Sequence, residues 1–500
     1  MNFIQALENE LNRSITENGA LGLKTTGKAL LDMNFKVTSY RNKSEDEIVT
    51  DFEKSFNEDA LLALKWLFYC RDIREGLGER RTFRVIMHYL ANEYPEVVER
   101  VLKLIPEYGR WDDLVDVLSS KTTELDKTIV NIIRSQLIED IENMKNEGPI
   151  TLLAKWLPSA KASSKATRVK ASILYHYLGV DGQEYRKLLS KLRSYLKIVE
   201  KDMSNGRWTE IEYSAVPSKA MLKYNSAFIR HDEEGFSKYL EDVKSGKKKI
   251  NSSVTYPYEI VHSYMKGHYV NDVDETLEEL WKALPKKSFS GSTIVVADGS
   301  GSMTSTIGGT KVTALDVANA LAIYCSEQLE GAFKDKYITF SHLPQFVNLS
   351  NCKNLQSKIV EALGHNEVAD TNIEATFDLL LHAASKHNMK QEEIPSNILI
   401  ISDMEFNQAT YCYNVNDTLF DTIKHKWERA GYKLPRLIFW NVCSRTNTIP
   451  VSENEMGVAL VSGFSQNILD MVMSNELDPY KLLVNVLNSD RYKPVELALE

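Results

Sequence analysis

An apolar run in this sequence ends at an acid and continues into alternating glycine and serine, in the stretch VVADGSGSM at residues 295–303. Asp298, Ser300 and Ser302 are spaced two residues apart, so one tight loop can turn all three oxygen-bearing side chains to the same side. Phosphate binding, nucleophilic catalysis and metal binding all use residues of these types. The neighbouring sequence must decide among these three kinds of site.

Known phosphate-binding and nucleophilic turns do not match this stretch. A P-loop requires G-x-x-x-x-G-K-[ST], and the next lysine after the stretch is Lys311. A dinucleotide-binding fingerprint requires a third glycine, which GSGSMT lacks. A nucleophile elbow has glycines two residues on either side of its serine, and neither serine here is flanked in that way. The comparison favours a metal site.

Oxygen ligands alone indicate a hard divalent ion, because such ions prefer oxygen donors. Further donors are expected at other strand ends: Asp403 ends the segment SNILIISD, and Thr371 lies in the loop VADTNIEATF. We predict one Mg²⁺ or Mn²⁺ ion, held partly through water by Asp298, Ser300, Ser302, Thr371 and Asp403. An Asp298→Ala variant is expected to lose the ion without unfolding, on the expectation that this loop is exposed.

Short β-branched segments with almost no polar residues predict strands that are buried on both faces. They lie at 292–298, 336–341, 396–403, 434–442 and 457–464. Helical patterns separate them, at 311–330, 372–388, 417–430 and 465–474. This alternation predicts an α/β doubly wound, Rossmann-like domain with a parallel sheet. Ligands of such sheets bind beyond the carboxyl ends of the strands, where VVADGSGSM is expected.

The five predicted ligands resemble the metal-ion-dependent adhesion site of von Willebrand factor A domains. The shared features are D-x-S-x-S after the first strand, a threonine in T-N-I-E-A, and an aspartate that ends the fourth strand. The family usually has two glycines before the threonine, where this sequence has Ala369 and Asp370; Asp370 either adds charge to the site or faces solvent. The resemblance covers 290–475 and implies that a partner's acid can bind at the ion.

Residues 1–289 have the pattern of short helices in series, which suggests an α-helical repeat of HEAT type. The segment EDALLALKWLFYCRDI, residues 58–73, is apolar nearly all round and predicts a buried helix. The predicted domains are therefore 1–289 (helical repeat), 290–475 (von Willebrand A) and 476–500 (helical tail).

The order of these domains resembles that of the Ro (TROVE) ribonucleoprotein family. The stretches SYMKGHYV, LEELWKAL and LVSGFSQNILDMV carry this resemblance. Residues 153–168 and 216–250 are instead similar to a family of uncharacterised A-domain proteins from bacteria, phages, plants and large viruses, which is a distant Ro relative. Both resemblances imply a helical ring or arc that an A domain closes, and a non-enzymatic scaffold.

RNA is an expected partner of the helical half, although its net charge is zero, with 44 basic and 44 acidic residues in 1–289. Two local basic clusters are candidates for phosphate contacts, with a tryptophan that could stack a base; a solvated surface is the alternative. They are Lys155, Trp156, Lys161, Lys165, Arg168 and Lys170, and Lys244, Lys247, Lys248 and Lys249. A third cluster, between Arg71 and Arg84, contains interleaved acids, which favours ordinary salt bridges. From residue 290 onward the chain has 16 basic and 25 acidic residues, so RNA is not expected there.

Three functions fit these observations: a non-enzymatic RNA-binding scaffold, a metal-dependent protein-interaction adaptor that binds no RNA, and a metal-dependent hydrolase. The hydrolase is disfavoured because a single ion held by hydroxyls lacks a nearby general base. The adaptor would place a carboxylate of a partner protein at the ion. No membrane span or export signal is expected, and five scattered cysteines without C-x-x-C spacing indicate a reducing, cytoplasmic setting.

Overall fold

The computed structural model describes most of the chain, namely residues 3–118, 123–196, 198–266, 269–286, 292–410, 418–446, 448–450, 458–473 and 478–500. The chain forms two compact units that are each discontinuous in sequence. The sheet unit contains residues 1–63 and 252–488, and the helical unit contains 64–251 and 489–500. The first 63 residues therefore belong to the sheet unit, whereas the sequence pattern placed them in the helical region 1–289.

The helices of both units, numbered along the chain, have the following bounds: α1 Phe3–Leu11, α2 Ala29–Lys36, α3 Glu45–Glu58, α4 Ala60–Arg71, α5 Arg80–Glu93, α6 Pro95–Val101, α7 Ile105–Tyr108, α8 Trp111–Val117, α9 Glu124–Lys145, α10 Leu153–Trp156, α11 Lys165–Leu178, α12 Gly182–Tyr195, α13 Val199–Ser204, α14 Ser218–His231, α15 Glu233–Lys244, α16 Pro257–Tyr264, α17 Glu275–Lys282, α18 Ala314–Gln328, α19 Leu355–Gly364, α20 Ile373–Lys386, α21 Leu419–Arg429, α22 Leu469–Met473, α23 Pro479–Leu487 and α24 Lys493–Leu499. None of the described helices combines the length and apolar composition that crossing a bilayer requires.

The strands are β1 Arg13–Ile15, β2 Leu21–Leu23, β3 Met265–Lys266, β4 Tyr269–Val270, β5 Thr293–Asp298, β6 Lys336–Phe340, β7 Gln345–Asn348, β8 Asn397–Ser402, β9 Arg436–Asn441 and β10 Ala459–Ser462. Six of them form one sheet in the order β10-β9-β8-β5-β6-β7. All neighbours in this sheet are parallel except β6 and β7, which are antiparallel. β1–β2 and β3–β4 are separate antiparallel pairs.

Five of the six strands of this sheet were predicted, and they pair in parallel as expected. Each predicted segment contains one of the strands β5, β6, β8, β9 and β10, and the residues of β5 are all buried. The edge strand β7 was not predicted, because its sequence QFVN is short and half polar and only one of its residues is buried. The sheet is therefore mixed rather than wholly parallel.

Side-chain caps explain where several helices of the sheet unit begin. Thr313 accepts a hydrogen bond from the backbone of Asp316 and the Asp316 carboxylate accepts one from Thr313, which forms a capping box at the start of α18. Thr418 and Asp421 form the same arrangement at α21. α18 packs on β5 and β8 and is buried over most of its length. The helices thus fix the strand ends that carry the predicted ligands.

The N-terminal residues belong to the sheet unit because α2 packs on β10. The Asn441 side chain donates to the backbone oxygen of Phe35 over 2.8 Å, and the hydroxyl oxygens of Thr38 and Ser462 lie 3.1 Å apart. All these atoms are buried, so the contacts replace water at the edge of the sheet.

The helical unit contains α5 to α15 with most of α4, and α24 returns to it from the C-terminus. The predicted buried helix at 58–73 is confirmed by α4, whose residues from Ala63 to Arg71 are all buried. α24 packs on α6, and α9 packs on both α11 and α12. None of the described cysteines, Cys70, Cys325, Cys352 and Cys443, forms a disulfide, and Cys412 lies outside the described residues.

The arginine cluster of the helical unit forms salt bridges, as the sequence suggested, but with partners distant in sequence. Arg71 and Arg84 both contact Asp113, at 2.7 and 2.8 Å. Arg84 also contacts Asp116, at 3.4 Å. Both partners lie within α8. They are not the acids that are interleaved with the arginines in the sequence. The network therefore ties α4 and α5 to α8.

Asp116 gives a pH-dependent test of this network. Burial disfavours its charge, but hydrogen bonds from His88 and Lys170 and the charge of Arg84 together lower its pKa below the ordinary value. A lowered folded-state pKa contributes stability above the unfolded pKa of about 3.9, and this contribution is lost as the pH falls further. We expect Asp116→Asn to destabilise the helical unit at pH 7 by roughly 1–3 kcal/mol.

The measurement is urea unfolding of the wild type and Asp116→Asn at several pH values. The difference in unfolding free energy should decrease as the pH rises through neutrality, because Asp116 raises the pKa of His88, and it should also narrow below about pH 4. A difference that is independent of pH would show that Asp116 acts through its shape and not through its charge.

Candidate metal centre

The predicted acids meet at one edge of the sheet because β5 and β8 are neighbouring parallel strands. Ala297 of β5 pairs with Ile401 of β8, so Asp298 ends one strand and Asp403 follows the other. Ser402, between them, donates its hydroxyl to Oδ2 of Asp298 over 2.5 Å. The two carboxylates therefore share one small, buried environment.

A tight loop after β5 brings the two serines to the same place. Gly299 donates its backbone N–H to Phe340 over 2.8 Å, and Gly301 donates to Ala369 over 2.9 Å. A Cβ atom on Gly299 would lie 2.8 Å from the Thr339 hydroxyl, so a larger residue would push the loop away from β6. The glycine spacing of the sequence thus lets the loop pass between β6 and the segment before α20.

The hydroxyls connect the two acids. The Ser300 and Ser302 hydroxyl oxygens are 3.0 Å apart, and Ser300 donates its backbone N–H to Asp298 over 2.9 Å. The Ser302 hydroxyl is also hydrogen-bonded to Asp403. Thr371, which lies two residues before α20, is buried and lines the same cleft as Ser302. The structure therefore places all five predicted ligands around one site.

Burial makes both carboxylates hard to ionise, although the Arg445 guanidinium lies 3.6 Å from Asp403. Burial raises the pKa of Asp298 to about 6. Burial, together with repulsion from Asp298, raises the pKa of Asp403 to about 7. Since each acid would be stabilised by a nearby cation, this donor set of two carboxylates and three hydroxyls fits a hard divalent ion.

The expectation that Asp298 lies in an exposed loop is wrong, because only 1% of its surface is exposed. The apolar strand β5 runs to its end under α18, and the following loop is covered by neighbouring segments. Removal of the Asp298 side chain would leave a buried gap, so Asn is a better substitution than Ala for testing the site.

Asp370, which stands where the resembling family has glycine, faces outward. Its side chain is 66% exposed and lies 3.3 Å from Nδ1 of His342. It also lines the cleft beside Ser302 and Thr371. The sequence raised two possibilities, that Asp370 adds charge to the site or that it faces solvent. Its side chain faces solvent and places a negative charge at the rim of the cleft.

Sequence reasoning missed Glu405, which is fully buried two residues after Asp403. Its Oε1 accepts the backbone N–H groups of Arg445 and Thr446, each over 2.8 Å. Its Oε2 accepts the backbone N–H of Glu17 over 2.9 Å. Glu405 therefore acts as a buried acceptor that joins three segments beside the site.

A hairpin formed by β1, β2 and the turn between them, which we call the N-terminal hairpin, borders the site and was also missed. Thr16 donates its hydroxyl to the Phe406 backbone over 2.6 Å. β2 is fastened by two backbone hydrogen bonds of 2.8 Å between Leu23 and Ile449. No local sequence signal indicates these contacts, since the partners are hundreds of residues apart.

The site opens into a cleft of about 250 Å³. Its walls come from the loop after β5, the segment before α20, the N-terminal hairpin and the loops that follow β8 and β9. The lining residues are Glu17, Asn18, Ser302, Ala369, Asp370, Thr371, Asn407 and Arg445. Within the described part of the chain, no group of three or more His, Cys, Asp or Glu side chains is arranged to hold a metal. Any ion here therefore depends on the hydroxyls as well as on two acids.

The first predicted RNA cluster does not form one continuous basic surface. Lys170 is paired with Asp116 at 2.6 Å, and Lys155 lies 3.9 Å from Glu200. Arg168 donates to backbone oxygens of its own loop, whereas Lys165 is exposed. The Arg110 guanidinium covers the Trp156 ring at 4.1 Å, so one ring face is already occupied.

The second predicted cluster is an exposed turn after α15 that includes Lys244 and Lys249. Lys247 lies 3.9 Å from Asp242, and Lys248 lies 5.9 Å from the centre of the Tyr239 ring. These lysines are accessible, but each is flanked by local contacts.

A cleft of about 400 Å³, which we call the basic cleft, lies between the loop after α10 and helices α12 and α13. Its basic lining residues are Lys161, Arg186, Arg193 and Lys201, and Glu200 is the only acid among the lining residues that the structure describes. Arg193 donates to the backbone oxygens of Ala154 and Leu157, at 2.7 and 2.8 Å, and contacts no carboxylate among the described residues. Burial lowers its pKa, which is the sign of a charge that lacks a counter-ion.

Comparison with known proteins gives two family matches. Residues 16–132 and 174–290 match a domain of unknown function, DUF2828, and residues 292–488 match another, DUF7788. The uncharacterised protein L728 of Acanthamoeba polyphaga mimivirus is 30% identical over 528 residues, which cover 98% of this chain and 90% of the viral protein. This chain belongs to the same family as L728. This match confirms the predicted resemblance of the chain to uncharacterised proteins of large viruses.

Among solved structures, the Ro (RSR) protein of Deinococcus radiodurans aligns with a TM-score of 0.46 and 14% identity. The alignment covers 85% of this chain and 93% of the Ro protein.

Proposed function

We propose that this member of the family is a non-enzymatic RNA-binding scaffold whose sheet unit, resembling a von Willebrand A domain, holds one Mg²⁺ or Mn²⁺ ion. The observation that carries the proposal is the pair of buried acids, Asp298 and Asp403, joined by serine hydroxyls at adjacent strand ends. Thr371 completes the donor set. When bound, the ion supplies positive charge and a position for an outside oxygen ligand.

The acids around the ion site support binding rather than catalysis. A general base needs a free carboxylate oxygen within reach of a reacting proton. Glu405, the buried acid nearest in sequence to Asp403, has both oxygens engaged by backbone N–H groups and by the Thr446 hydroxyl. It therefore holds the surrounding loops together.

The basic cleft supports RNA as the partner of the helical unit. Four basic groups against a single acid favour a phosphate ligand, and Arg193 is a half-buried charge that a phosphate would neutralise. Lys161 is the one residue of the predicted clusters that lines this cleft. The sequence did not predict a role in RNA binding for Arg186 and Arg193 of α12 or for Lys201 of α13. Helical spacing, rather than charge density along the chain, brings these residues together.

The experiment measures binding of a fluorescent 20-nucleotide single-stranded RNA by anisotropy between 50 and 200 mM salt. We expect the triple variant Lys161→Ala, Arg186→Ala, Lys201→Ala to bind more weakly. Its logarithmic salt slope should be shallower by about 2, since each lost single-strand phosphate contact removes about 0.7. The control triple variant, at exposed Lys311, Lys334 and Lys386 of the sheet unit, should keep the wild-type slope.

Equal losses in both triple variants would show that net charge alone attracts RNA. If the wild type binds no RNA at 50 mM salt, and freshly purified protein has the 260/280 nm absorbance ratio of pure protein, the alternative adaptor function is supported instead. In that function, an acid of a partner protein would bind at the ion.

A further inference from the structure

The tip of the N-terminal hairpin contacts a predicted metal ligand directly. Asn18 donates its side-chain amide to the Thr371 hydroxyl oxygen over 3.1 Å and to the Glu405 backbone over 2.6 Å. Its own backbone oxygen accepts from Gln408 over 3.2 Å. The turn is thus fixed at the wall of the ion cleft, with Glu17 as the neighbouring residue.

A single arginine nitrogen lies between the hairpin and the ion site. Nη2 of Arg445 is 2.6 Å from Oε2 of Glu17 and 3.6 Å from Oδ2 of Asp403. The two carboxylates, one from the hairpin and one from the predicted ligand set, therefore face the same positive group. The space between them accommodates a cation in this structure.

Glu17 has the freedom that a ligand at this position needs. Its backbone is held by Glu405, whereas its side chain is 54% exposed and Arg445 is 36% exposed. A half-exposed carboxylate can exchange one cationic partner for another at small cost, because exposed ion pairs contribute little stability. With one oxygen from each, directly or through water, the five predicted ligands leave one of the six octahedral positions of Mg²⁺ open.

We propose that Glu17 is a further ligand of the ion, supplied by the chain itself through the N-terminal hairpin. This inference rests on the ion site proposed above. The Glu17 carboxylate exchanges Arg445 for the ion and fills the coordination position that the five predicted ligands leave open. An acid from another molecule then has to displace Glu17 before it can bind.

The probe is Tb³⁺, which occupies oxygen sites and whose luminescence lifetimes in H₂O and D₂O report the number of bound waters. Glu17→Ala should raise that number by about one relative to the wild type, since water takes the vacated position. The matched control is Glu10→Ala, which removes an exposed acid that is paired with Arg13 just before the hairpin and should leave the number unchanged.

A second variant displaces the hairpin without touching an acid. A Cβ atom on Gly22 would lie 2.5 Å from the Thr448 side chain and 2.7 Å from the Ile449 backbone oxygen. Gly22→Ala should therefore also add about one bound water.

The outcomes separate this inference from the site on which it rests. Absence of Tb³⁺ binding to the wild type would overturn the ion site and this inference with it. Tb³⁺ binding with equal water numbers in the wild type and Glu17→Ala would overturn the role of Glu17 and leave the ion site standing. An increase in Glu10→Ala as large as that in Glu17→Ala would also overturn it, because the effect would then be one of general charge.

Discussion

Asp298→Asn is expected to remove divalent-ion binding while the fold of the sheet unit is kept. The substitution keeps the size of a side chain that is almost fully buried, and it removes one of only two carboxylates in the predicted donor set. The metal-free variant should be at least as stable as the metal-free wild type, because the repulsion that raises the pKa of Asp403 is gone.

The measurement is thermal unfolding with and without Mg²⁺, together with calorimetric titration. Saturating ion at 100 times its Kd should stabilise the wild type by about 2.7 kcal/mol and should not stabilise Asp298→Asn. Asp370→Asn, the same substitution at an exposed acid of the same cleft, should retain the shift. Unchanged Mg²⁺ affinity in Asp298→Asn would refute the site.

Asp113→Asn is expected to be the most damaging single substitution in the helical unit. The Asp113 side chain has no exposed surface and contacts Arg71 at 2.7 Å and Arg84 at 2.8 Å. Its loss leaves two guanidinium groups without their shared acid, and Arg71 is itself buried. Breaking a buried charge pair from one side typically costs about 3–5 kcal/mol.

Urea unfolding followed by circular dichroism, with hydrogen exchange of α4 and α8, measures this loss. Asp112→Asn is the matched control, since Asp112 also contacts Arg84, at 3.1 Å, but is partly exposed and should cost about 1 kcal/mol or less. Similar losses in both variants would mean that burial does not set the energy of this network.

The grouping of the five predicted ligands at one edge of the sheet was largely predictable because its signals are local. Asp298 and Asp403 each follow an apolar strand, and parallel strands bring their carboxyl ends together whatever the length of chain between them. The glycine spacing of the loop, in turn, predicted where Ser300 and Ser302 would point. The five predicted strands followed from composition, because short apolar, β-branched runs are also a local signal.

The rest of the site was not predictable because it depends on tertiary pairing. Asn18 and Thr371 are 353 residues apart, and nothing in either neighbourhood indicates the other. The surroundings of the basic residues were not predictable for a related reason: Lys170 pairs with an acid of another helix, whereas helical geometry brings Arg193 into the basic cleft. Charge density along the chain does not report which charges remain unpaired after folding.

The return of the C-terminus to the helical unit has a consequence for synthesis on the ribosome. Arg491 pairs with Asp72 at 2.8 Å across 419 residues, and Lys65 pairs with Glu496 at 2.7 Å. At about 5–20 residues per second, the early helices emerge tens of seconds before these partners exist. Asp72 and Lys65, both buried in the folded protein, have no partner from this segment until residues 491–496 have been synthesised. The nascent helical unit therefore stays incomplete until residues 489–500 have left the ribosome.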